Sequence, residues 1–128
     1  MYRPRRIKSM SDNRFPKANR LVNEGDFSQV YDEGIRVDET GFVFYLLENN
    51  ERKPRIGIVT PKYLGKAAER NRVKRIIREG FRKNKEEFEG FDFIVRPKKA
   101  ASSLTNSELV ERFLSNFRAS KKVVENGD

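Results

Sequence analysis

Six cations, Arg70, Lys74, Arg75, Arg78, Arg82 and Lys85, recur at the spacing of a single helix face, with no acidic residue among them. At about 100° per residue they share one arc. A helix stabilised for its own sake interleaves Glu with Lys four residues apart, whereas stacked like charges destabilise it. Phosphates between the guanidiniums relieve that repulsion, because Arg grips a phosphate through two parallel N–H bonds. The chemistry these side chains offer is polyanion binding. A solvated helix face is the ordinary use of a charge run, and a helix that reads DNA has the same look.

Covalent and acid–base chemistry is poorly provided for. The chain has neither His nor Cys, so the commonest general base, the commonest zinc ligands and every thiolate are missing. A nuclease made of protein alone would then need converging carboxylates to hold magnesium. The tight acidic group of the second half, Glu86, Glu87 and Glu89, precedes Gly90 in a polar connector where a solvated turn is expected. No catalytic residue and no metal ligand is expected in the protein. Lack of cysteine suits a reducing cytoplasm. No apolar run approaches the roughly 18 residues that span a bilayer, and none follows Arg3, Arg5, Arg6 and Lys8, so neither membrane nor export is expected.

The net charge of +9 is segregated along the chain. Residues 1–20 carry +6, residues 21–51 carry −7, residues 52–85 carry +11 and residues 86–128 carry −1. A merely solubilising surface mixes its signs; blocks of one sign mark an interaction surface.

The elements that must position these residues follow from periodicity. Residues 1–18, with Pro4, Pro16 and scattered charge, read as a flexible basic arm. Asn23 reads as an N-cap, Phe27, Val30 and Tyr31 as one helix face, and Gly34 as its stop. Ile35–Asp38 alternates as a strand; Phe42–Leu47 is a stronger one, apolar on both faces; Arg55–Val59 is a third. Pro61 and Gly65 introduce a long helix over 66–85, whose Val73, Ile76, Ile77, Gly80 and Phe81 share an inward arc. Phe91–Val95 is a fourth strand. Thr105 and Glu108 form a capping box before a last helix faced by Leu109, Val110, Phe113, Leu114 and Phe117. The order α-β-β-β-α-β-α predicts an α+β domain over 19–118, helices packed on a four-stranded mixed sheet, with a tail at 119–128. The crossover from the third to the fourth strand makes that pair parallel, and right-handed by default.

The wording of the long helix goes further. Arg70-Asn71-Arg72, then Lys74, Arg75, Arg78 and Glu79, closely resembles the basic helix of the protein subunit of bacterial ribonuclease P. The resemblance extends to Asn19-Arg20-Leu21, Asp26-Phe27, Phe42-Val43-Phe44-Tyr45, Ile56-Gly57-Ile58-Val59, Lys62 and Gly65, and so spans about residues 17 to 117. It implies an accessory subunit of an endoribonuclease: an RNA subunit, with magnesium held mainly by that RNA, removes the 5′ leader of precursor tRNA. It implies partnership with ribonuclease P RNA and precursor tRNA, with no obligate protein partner, and a left-handed crossover in place of the default. By the same likeness Arg70, Asn71, Arg72, Lys74, Arg75 and Arg78, with Lys62 and Lys66, would bind RNA. A cleft of Phe27, Tyr31, Tyr45 and Arg20 would take the leader.

Two alternatives belong to other classes: a helical DNA-binding module, and a ribosomal-type protein with no part in processing. The aromatic positions are also open. Their spacing predicts core burial, while stacking platforms for unpaired bases use the same residue types.

Overall fold

The computed structural model describes residues 17–51 and 53–127, so most of the arm read at residues 1–18 lies outside the described residues. The chain forms α1 (Glu24–Glu33), β1 (Ile35–Asp38), β2 (Phe42–Glu48), β3 (Arg55–Ile58), α2 (Ala67–Lys83), β4 (Phe91–Pro97) and α3 (Asn106–Glu125), joined by short 3-10 turns. This is the expected order. The sheet runs β1-β2-β4-β3, with β1 and β4 antiparallel to β2 and β3 parallel to β4. The last strand therefore inserts between its two predecessors.

That insertion explains why β2 is apolar on both faces: each face of the sheet is covered. Phe42, Phe44 and Leu46 point with Phe93 and Val95 into the main core. There they meet Val73, Ile76, Ile77 and Phe81 of α2 and Leu109, Phe113 and Phe117 of α3. Tyr45 and Leu47 lie on the other face, in a smaller cluster with Leu21, Phe27, Val30, Val59 and Ile94 under α1. Phe88, in the turn before Gly90, is fully buried among Phe81, Phe93, Phe113 and Phe117, so the presumed solvated connector supplies a core ring.

The helix ends follow from local bonding. Asn23 Oδ1 accepts from the Asp26 N–H at 2.8 Å, which caps α1. Gly34 stops α1 as expected, though its φ of −77° is not left-handed. Glycine is required there by space: a Cβ would stand 2.5 Å from the Val30 carbonyl oxygen and 3.1 Å from that of Leu46. Thr105 and Glu108 form the reciprocal capping box at the start of α3. The end of α3 corrects the sequence reading. The helix runs to Glu125, through most of the stretch taken as a tail at 119–128, with Ser120 buried and Val124 packed on the core.

Candidate nucleic-acid interface

The turn before α2 sets the register of its basic face. Gly65 at φ 126° occupies a backbone conformation that side chains rarely adopt. Its carbonyl oxygen accepts from Arg70 Nη1 at 2.9 Å, which steadies one edge of that guanidinium. The five apolar positions of the inward arc are all buried, so the helix cannot rotate without exposing them. The rest of the circumference is thereby fixed as two flanks and an outer strip.

One flank faces β3 and the segment before α1. There Lys74 and Arg78 meet Arg20, Leu21, Val22, Phe27 and residues 56–58 around an open groove of about 210 Å³. Arg20 is held by a parallel bridge to Ile56, and the Leu21 N–H donates to the Ile56 carbonyl at 3.1 Å. The floor is made by close approach: a Cβ on Gly57 would fall 2.7 Å from two atoms of the Phe27 ring, so the ring lies directly on the glycine. Partial burial, and then the nearby charge of Arg20, hold the Arg78 guanidinium below its ordinary pKa. Cations crowded this way gain from a bound anion.

The outer strip carries Asn71 and Arg75, both exposed. Arg75 pairs loosely with Glu79 at 3.7 Å, and the Asn71 side chain makes no hydrogen bond among the described residues. Lys62, in the 3-10 turn, and Lys66, the N-cap of α2, are exposed beyond the N-terminal end of the helix. Lys85 falls past α2, in the following turn.

Arg72 departs from the expectation. It sits on the opposite flank, where its guanidinium is bound to Glu69, Asn106 and the carbonyls of Ser102 and Leu104. It faces α3 and not the groove.

The three aromatic residues are brought together on one face of the sheet but are not equivalent. Phe27 and Tyr45 are half-buried in the smaller cluster, whereas Tyr31 is 40% exposed. The Tyr31 and Tyr45 rings meet edge to face at 4.8 Å and 76°. Burial, then Tyr45, raise the pKa of the Tyr31 hydroxyl, and Arg96 opposes them. Arg96 was missed from the sequence. Its register partner is Val43, next to the Tyr45–Ile94 pair, and two-residue alternation from Ile94 places it on the aromatic face. Gly57 stands in the resemblance as part of a motif, without the ring contact that any side chain there would have to displace.

The family model described as Ribonuclease P matches residues 15–121. The ribonuclease P protein component of Nitrosococcus oceani is 36% identical over 97 residues, 75% of this chain and 82% of that one. The solved structure of the Staphylococcus aureus RNase P protein superposes with a TM-score of 0.75 at 32% identity, covering 82% of this chain and 97% of that one. The Thermotoga maritima RNase P protein gives 0.68 at 35%, covering 75% and 92%.

Proposed function

The chain belongs to the ribonuclease P protein family, and from that premise we propose that the basic face of α2 binds the RNA subunit while the cleft under α1 takes the 5′ leader of precursor tRNA. It is a subunit of an endoribonuclease that matures tRNA 5′ ends, in which the RNA does the catalysis. One observation supports the division of labour. Arg20 and Phe27, from the cleft, share a groove with Lys74 and Arg78, from the helix, so the two surfaces are continuous. A single strand lying on the half-buried rings then has cations for its phosphates at the next step.

Magnesium belongs in this reading to the RNA. Among the described residues no group of three or more Asp and Glu converges to hold a metal. What its side chains do is neutralise phosphate and orient an unpaired strand. We place the assembly in the cytoplasm, in keeping with a chain free of cysteine.

The test is reconstitution. The protein is expected to restore precursor-tRNA cleavage to the RNA subunit at low magnesium and to cleave nothing alone. Arg70→Ala and Arg78→Ala should weaken binding and each lower the log–log salt slope by about one. Unchanged affinity together with an unfolded variant would make the basic face structural.

A further inference from the structure

Arg72 closes the Arg-Asn-Arg run, yet its geometry separates it from its neighbours. At about 100° per residue it lies about 160° around α2 from Arg70 and about 120° from Arg78, beyond the edge of the phosphate-facing arc. Its Nε donates to Glu69 Oε1 at 3.3 Å and its Nη2 to Oε2 at 2.7 Å, a two-point fork. Nη2 also reaches the carbonyl oxygens of Ser102 at 3.3 Å and Leu104 at 3.2 Å, and Nη1 donates to Asn106 Oδ1. All three nitrogens are engaged, and no edge is left to receive a phosphate in the bidentate way.

We propose that Arg72 is a positioning residue that holds Glu69 and the 102–106 connector, and so keeps the RNA-facing arc of α2 clear of negative charge. The inference rests on the reading of that arc as the RNA-binding face. Glu69 is the one acid in the first two turns of α2. Lys66 stands three residues before it, within reach along the helix surface. Released from Arg72, the carboxylate turns to Lys66 and neutralises a cation beside the phosphates. The hydrogen bond from Arg72 also holds the Glu69 carboxyl below the usual carboxylate pKa. The same guanidinium ties α2 to the residue that follows the α3 N-cap, fixing the two helices in one register.

The experiment measures binding of the full chain to ribonuclease P RNA across a salt series, with thermal unfolding of each variant alongside. Arg72→Ala should bind several-fold more weakly per folded molecule, with the salt slope lowered by up to about one as Glu69 takes Lys66 from the phosphates, and Arg72→Ala/Glu69→Gln should recover both affinity and slope. Glu69→Gln alone, which keeps the Arg72 charge, should leave the slope unchanged. Several results overturn the proposal: a slope lowered by about one in Arg72→Ala without rescue, or raised by about one in Glu69→Gln, means that Arg72 grips phosphate. Full affinity in folded Arg72→Ala means that the contact is structural and nothing more. Arg70→Ala separates the failures: if it leaves the slope unchanged, the RNA-binding reading of α2 falls first and takes this proposal with it.

Discussion

Phe27 and Tyr31 stand one helical turn apart on α1, and the same spacing that predicts a core face predicts a stacking platform. Periodicity reports which side of a helix is apolar, not whether anything fully covers it, so this part of the site was legible as a set of residues and illegible as a function. Burial now separates them. Tyr31, 40% exposed, should behave as a contact residue: Tyr31→Ala is expected to weaken binding of leader-bearing precursor tRNA about tenfold, within the ~1–3 kcal/mol of a stacked base, while the melting temperature falls only slightly with the lost edge-to-face contact to Tyr45. Gly57→Ala acts on Phe27 instead. The new methyl lands 2.7 Å from the ring, which must move, so both stability and leader affinity should fall while mature tRNA is bound as before once folding is allowed for. Equal losses for precursor and mature tRNA in Tyr31→Ala would return that ring to packing. Arg72 is the complementary case: its motif pointed to RNA, while helical spacing left it off the cationic arc and the bonding of its three nitrogens shows what holds it on the other flank.

Elements were legible wherever apolar period and caps agreed. The inward arc of α2 and the Thr105–Glu108 box stand as the residues predicted them. The last turns of α3 were missed because polar residues occupy its buried positions. Asn116 and Ser120 break the apolar pattern, yet both are buried and satisfied: Ser120 Oγ donates to the Asn116 carbonyl at 2.9 Å, and Asn116 Oδ1 accepts from the Gly41 N–H at 2.9 Å. A polar side chain with a partner sits in a core without the full penalty of burial. The strand order was hidden for a different reason, since local alternation says nothing of which strand pairs with which. Asn116→Ala tests the α3 contact. It leaves the Gly41 N–H buried without an acceptor and should lower unfolding free energy by about 1–3 kcal/mol in urea titrations. RNA affinity of the folded fraction should not change, because Asn116 faces the β1–β2 turn and lies away from the groove.

At the scale of the whole molecule the segregated charge blocks were a clear signal in the sequence, and for the basic block at 52–85 the fold sets Lys74 and Arg78 of α2 along a groove. The same composition fixes how the molecule responds to pH. With no His and no Cys, no side chain has an ordinary pKa between about 5 and 8, so the charge presented to RNA is constant across that range. Below it the paired acids titrate. The hydrogen bond from Arg72 lowers the pKa of Glu69, and that from Arg118 lowers the pKa of Glu87, each from an ordinary value of 4.5. A carboxyl with a folded pKa below its unfolded one adds stability that is complete above the unfolded value and is lost as pH falls through the folded value. Asp38 and Glu108 shift the same way but are solvent-exposed, where screening leaves little effect on stability. The melting temperature should therefore be flat from about pH 6 to 8 and decline below about 4.5, with Glu69→Gln and Glu87→Gln each flattening part of the decline. Affinity for the RNA subunit should stay level from pH 6 to 8 while falling steeply with salt, because counterion release and not protonation governs it. A midpoint near pH 6.5 in either curve would demand a titrating group that this chain's side chains do not contain, and would place the switch in the RNA.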